Sequence, residues 1–117
     1  SIYNYMYPKV QNKDIEEAWI LLLNQKLDLI EAKCISHGGI TGTAIDIRII
    51  LKEALLRNAT AIALCHNHPS GNPRPSREDD NITNSLKKAA DTMHIYFVDH
   101  VIVAQQHFYS YREEGKI

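Results

Sequence analysis

A chain of 117 residues that is 44% hydrophobic and 23% charged can bury its own core but cannot make two ordinary domains. That composition excludes a disordered or fibrous protein and removes any need for disulfide or metal staples. Its 13 Lys and Arg against 14 Asp and Glu leave a net charge of −1, which argues against a domain that holds DNA or RNA mainly by electrostatics.

No apolar run approaches the ~18 residues of a membrane helix, so no membrane span is expected. Residues 1–14 lack the basic-then-apolar layout of a signal peptide. Cys34 and Cys65 both sit in apolar stretches and read as buried thiols of a reducing compartment, so a cytoplasmic location is expected. The chain opens on Ser1 and not on Met, which suggests a longer parent.

Residues 1–13 read as a floppy N-terminal extension whose tyrosines, Tyr3, Tyr5 and Tyr7, could dock on the domain or on a neighbour; residues 14–117 read as the domain. The apolar run 18–24 predicts a buried strand, and Asn24-Gln25-Lys26 a tight connection to a second strand over 28–36. Gly38, Gly39 and Gly42 then break the chain. From Asp46 the period changes: Ile47, Ile50, Leu51, Ala54 and Leu55 predict an amphipathic helix, capped by Thr43 or Asp46. Residues 61–65 predict a core strand, and the proline-rich segment 69–75 a stiff loop. A second amphipathic helix is predicted from Ser76 to about Met93, with Ile82, Leu86, Ala89, Ala90 and Met93 facing inward. Two strands, 96–103 and 108–112, close the chain. The order β-β-α-β-α-β-β predicts an α/β fold on the border of α+β, a mixed sheet flanked by helices.

The chemistry lies in residues 66–80. His66 and His68 are two apart at a strand end, so their side chains leave the same face. Two imidazoles on one face can share a divalent metal, and zinc suits nitrogen ligands. Asp79, in the first turn of the next helix, qualifies as a third ligand if the stiff loop folds back. Two histidines and one carboxylate leave a fourth position open, which is the catalytic arrangement. The plain readings compete: an isolated HxH is usually packing and hydrogen bonding, and Ser76-x-x-Asp79 is equally a capping box.

The run His66-Asn67-His68, seven residues, Ser76, two residues and Asp79 has the H-x-H-x7-S-x2-D spacing of the JAMM (MPN-plus) metallopeptidases. With HNHPSGNPRPS, GGITGTAIDIRIILKEALLRNA, VDHVIV and YSYREEG, the chain resembles the RadC branch from about residue 14 to 115. Asn67 between the histidines agrees with RadC, whereas Ala104 stands where RadC sequences usually carry Gly. Full RadC proteins also carry an N-terminal helical, DNA-binding-like region that this chain does not show.

The resemblance implies a JAMM/MPN fold of cytidine-deaminase-like architecture, zinc held by His66, His68 and Asp79, and a metal-activated water attacking an amide carbonyl. It also implies a glutamate at the head of the first strand as general acid/base. Glu16 and Glu17 both precede Ala18-Trp19-Ile20-Leu21, and adjacent strand residues face opposite sides, so only one can serve. The family's placement of the acid directly before such a run selects Glu17, with Glu16 the alternative and a solvated Glu pair the plain reading. Ser76 is implied as donor to the oxyanion, and Asn67 as turned toward the core. A zinc deaminase would need H-x-E and P-C-x-x-C, and neither is present.

Asp99-His100 reads as structural hydrogen bonding, His37 as an exposed loop residue, His94 and His107 as turn residues. Cys65 should point away from the metal, and Lys87-Lys88 is too small for a nucleic-acid footprint. Three functions compete: a zinc hydrolase of a peptide or isopeptide bond, a DNA-repair-associated RadC protein, and a non-catalytic interaction module. The expected partner is a peptide or protein substrate, bound by loops around 37–45 and 69–75, with no strong direct nucleic-acid binding and no membrane.

Overall fold

Every position from Ala18 to Leu22 except Trp19 is buried, as a strand covered on both faces requires. In the computed structural model, which describes residues 1–37 and 45–117, this run is an inner strand of a five-stranded mixed sheet. The elements in chain order are α1 (Ile2–Val10), β1 (Glu17–Leu23), β2 (Leu29–His37), α2 (Ile47–Leu56), β3 (Ala61–Asn67), α3 (Arg77–Thr92), β4 (Tyr96–Ala104) and β5 (His107–Ser110). The sheet order is β2-β1-β3-β4-β5, antiparallel except for the β3–β4 pair, which α3 connects. The fold is α+β, a mixed sheet with helices on both faces, consistent with a JAB/MPN fold.

The predicted hairpin is present, with a connection that runs on to Asp28. The Asn24 Oδ1 accepts from the backbone N–H groups of Lys26 at 2.9 Å and Asp28 at 3.0 Å, and Leu27 takes the left-handed position at φ 65°. Asp46 caps α2, its carboxylate accepting from the Arg48 N–H at 2.9 Å. The alternative cap Thr43 and the glycines at 38, 39 and 42 lie outside the described residues.

One face of the sheet carries α2 and α3. Ile50, Ala54, Leu86 and Ala90 pack there on Ile20, Leu22, Ile62, Leu64 and Phe97. Leu55 and Met93, placed inward by periodicity, are exposed. Leu55 lies about 100° round the helix from Ala54, beyond the buried stripe, and Met93 is the C-cap of α3. Thr83 is buried in their stead.

The other face carries α1, which corrects the expectation of a floppy N-terminus. Ser1 caps the helix through its hydroxyl oxygen, and Met6 and Val10 are buried against Leu21, Ala63, Cys65, Val101 and Val103. Tyr3 stacks on Phe108 with 4.5 Å between ring centroids. The stripe Ile2, Tyr3, Met6, Tyr7, Val10 is amphipathic once the tyrosines count as apolar. Because Met6 is fully buried, Met6→Ala is expected to lower unfolding free energy by about 2–5 kcal/mol, read from the urea midpoint; an unchanged midpoint would show that α1 does not dock in solution.

Two register features aim side chains at one end of the sheet. Ala18 pairs with His66, so residues of β1 in phase with Ala18 share the His66 face. In β4 the pairing steps from Phe97 to Asp99, leaving Val98 as an extra residue. That bulge shifts the alternation by one and brings His100, opposite Leu64, onto the α3 side.

Candidate metal centre

The loop after β3 turns back because its residues demand it. The His68 N–H donates to the Val103 carbonyl at 2.8 Å, and the Gly71 N–H donates to the His68 carbonyl at 3.1 Å, closing a turn. Gly71 has φ +89°, and a Cβ there would meet the Gln105 side chain at 2.9 Å, so position 71 suits glycine alone. The turn delivers the Asn72 carbonyl to His68 and the start of α3 to both histidines.

At that helix start Ser76 and Asp79 form a capping box. The Asp79 N–H donates to Ser76 Oγ at 3.0 Å, and the Ser76 N–H donates to Asp79 Oδ2 at 2.9 Å. The same carboxylate reaches the histidines, with Oδ1 3.1 Å from His66 Nε2 and Oδ2 3.2 Å from His68 Nε2. The two Nε2 atoms are 3.0 Å apart. Cap and cluster, weighed as alternatives from sequence, are one arrangement.

Glu16, and not Glu17, joins this cluster. One ligand atom each from Glu16, His66 and His68 lie within 4.8 Å of one another, and such a group can hold a metal ion. Glu17, the residue selected from the family pattern, is on the other side of the strand. Its carboxylate accepts from Trp19 Nε1 at 3.1 Å and sits 3.9 Å from Lys13 Nζ. The reason is the register: Glu16 is two before Ala18, which pairs with His66, while Glu17 is in phase with Trp19.

Asn67, between the histidines, is buried as expected and clamps the glutamate segment. Its Oδ1 accepts from the Glu17 N–H at 2.7 Å, and its Nδ2 donates to the Ile15 carbonyl at 3.1 Å, so both neighbours of Glu16 are held. His100, read from sequence as structural hydrogen bonding, and Thr83, which no sequence pattern singles out, belong to the site: His66 Nδ1 is 2.9 Å from His100 Nε2, and His100 Nδ1 is 2.5 Å from Thr83 Oγ1. The available signal was a polar Asp99-His100 pair inside an apolar strand. Asp99 does play the structural part, accepting from Ser110 Oγ and from the His100 and Arg112 N–H groups.

The electrostatics fit a cation. His68 Nδ1 faces the Asn72 carbonyl at 2.9 Å, which can only accept, so in the neutral ring the Nε2 lone pair points into the cluster. Burial alone would raise the Asp79 carboxyl, but contacts with His66 and His68 and the Ser76 N–H hold it well below the usual carboxylate range. Glu16 is raised, first by burial and further by the charge of Asp79, against the opposing pull of the histidines. His100 is fully buried, and burial with His66 beside it holds it well below the ordinary histidine range, hence neutral. A tetrahedral ion with ligands at about 2.0–2.1 Å has ligand-to-ligand edges of about 3.3 Å, within a few tenths of the 3.0 Å between the two Nε2 atoms, and Asp79 offers one oxygen to each histidine.

Cys65 points away from the cluster into the α1 face, where burial pushes its thiol up to about 12 and makes it inert. A cavity of about 440 Å³ opens beside His68, lined in part by Tyr7, Val10, Pro69, Val103 and His107. The expected substrate loop around 37–45 falls mostly on residues 38–44, outside the described residues, as does the side chain of His37.

A mixed five-stranded sheet with a His-His-carboxylate cluster at the end of its central strand defines a JAB-type domain. The chain belongs to the RadC-like JAB domain family, whose family model matches residues 1–116. It is 38% identical over 115 residues to a UPF0758 protein of Symbiobacterium thermophilum, covering 98% of this chain and 49% of that protein. It is 38% identical over 113 residues to a UPF0758 protein of Flavobacterium johnsoniae (97% and 49%), and 40% over 109 residues to one of Streptococcus gordonii (93% and 48%). The chain thus spans about half the length of the curated relatives it matches. Membership of this family is compatible with a hydrolase. Among the described residues no helix is long and apolar enough to cross a membrane.

Proposed function

We propose that this domain is a zinc-dependent hydrolase of peptide or isopeptide bonds, with the metal held by His66, His68 and Asp79. The observation that carries the reading is the convergence of His66 Nε2, His68 Nε2 and the Asp79 carboxylate at 3.0–3.2 Å from one another. Zinc, when bound there, supplies a Lewis acid and lowers the pKa of a water to about 7.

The protein's own groups divide the remaining work. Glu16, with its raised pKa and its place on the metal side of β1, takes a proton from the attacking water and returns it to the leaving nitrogen. The Ser76 oxygen accepts in the cap, which leaves its O–H to donate to the oxyanion of the substrate. Ser76 is exposed at the site's rim, where a substrate carbonyl can reach it. The partner is a peptide or protein, in a reducing, cytoplasmic setting that suits the inert, buried Cys65 thiol.

The test is cleavage of a library of linear and isopeptide-linked peptides by chelator-stripped protein, with and without one equivalent of zinc. New termini found by mass spectrometry only in the zinc sample are expected. Zinc uptake without any cleavage would favour the interaction module.

Weak DNA binding follows from the charge balance. Arg74 and Arg77 beside the centre are followed directly by Glu78, Asp79 and Asp80, which cancel them. In fluorescence anisotropy at about 150 mM salt, well within the range where phosphate contacts still matter, no sub-micromolar affinity for single-stranded or duplex DNA is expected. Tight binding with a steep salt slope would overturn the hydrolase-only reading.

A further inference from the structure

We propose that His100 is a positioning residue for the metal centre, the middle of a directed hydrogen-bond chain that keeps the Nε2 lone pair of His66 turned toward the ion. The proposal rests on the zinc reading above.

The direction follows from counting protons, starting at the metal end: an ion on His66 Nε2 needs a lone pair there, so the ring proton of His66 sits on Nδ1. At the far end Thr83 Oγ1 lies 2.8 Å from the Asp79 backbone carbonyl, which can take the single hydroxyl proton of Thr83. With its proton there, the Thr83 oxygen is an acceptor toward His100, whose Nδ1 then carries the ring hydrogen. The His100 ring is fully buried, stacked on Tyr111 at 4.8 Å and 5° between planes, and its neutral form has only that one N–H. Its Nε2 is then a lone pair, facing His66 Nδ1 at 2.9 Å, so His66 Nδ1 supplies the proton. What remains on His66 is an Nε2 lone pair aimed at His68 Nε2 and Asp79.

The chain starts on the backbone of one proposed ligand, Asp79, and ends on the ring of another, His66. Both are held by one buried path, with no proton missing and none in excess. Reversing His100 would put its proton on Nε2 and move the His66 proton to Nε2, where it would donate to Asp79 and leave no lone pair for an ion. Outer partners of this kind typically change metal affinity by about 10–100-fold when removed.

Zinc affinity, measured by competition with a chromophoric chelator, separates positioning from packing. His100→Leu fills the space without an acceptor, and binding is expected to weaken about 10–100-fold. His100→Gln places an amide oxygen toward His66 Nδ1 and is expected to stay close to wild type. Folded His100→Leu with wild-type affinity would overturn the proposal, as would equal losses in the Leu and Gln variants. Long-range ¹⁵N–¹H NMR of zinc-loaded wild-type protein gives a reading that does not depend on the variants folding. A proton on Nδ1 of His100 and on Nδ1 of His66 is expected, and a proton on Nε2 of neutral His100 would overturn the chain. Wild-type protein that takes up no zinc would instead remove the metal reading on which the proposal rests.

Discussion

Replacing His68 by alanine is expected to lower zinc affinity by more than the roughly 10–100-fold typical of an outer partner, because it removes a proposed ligand outright. His68 is the cleanest of the three proposed ligands to remove. It lies just past the end of β3, and its side chain is 16% exposed against 3% for His66. Truncating His66 would also break the bond to His100, and truncating Asp79 would also remove half of the α3 capping box. The His68 variant should therefore keep its thermal unfolding midpoint in the metal-free state while elemental analysis after zinc loading shows the loss. Equal zinc content in wild type and variant would refute the ligand set.

Glu16→Gln is expected to reduce cleavage by about 10²–10⁴-fold while zinc uptake stays near wild type, since a general acid–base group handles protons and is not one of the three proposed ligands. Glu17→Gln should leave turnover largely intact. Glu17 holds Trp19 Nε1 on the opposite side of β1, so its loss should cost stability more than rate. Rates would be measured on whichever library peptide the zinc-loaded protein cuts, with metal content determined on the same samples. Loss of activity in the Glu17 variant alone would return the role to that residue. Loss of zinc in the Glu16 variant would make Glu16 a ligand, an outcome its closeness to both histidines makes worth measuring directly.

Much of the site was legible because it is local. Two histidines at i and i+2 on a strand share a face whatever the rest of the fold does, and a Ser-x-x-Asp pair at a helix start caps that helix. The strands and the two later helices followed in the same way, from alternation and from the 3.6-residue period. The first helix was missed because three of its stripe-forming and flanking residues are tyrosines, whose rings pack like apolar side chains while their hydroxyls read as polar.

What the amino-acid sequence by itself determined is the spacing that places His66, His68 and Asp79 together, and the rule that only one of Glu16 and Glu17 can face them. Which one does was decided by the pairing of Ala18 with His66, a contact between segments 48 residues apart that no local period encodes. His100 was decided in the same manner: strict alternation from Phe97 would turn it to the α1 face, and the bulge at Val98 turns it toward His66. Local periodicity tells which residues share a face of one strand. The register between strands, set by the packing of the whole sheet, tells which faces meet.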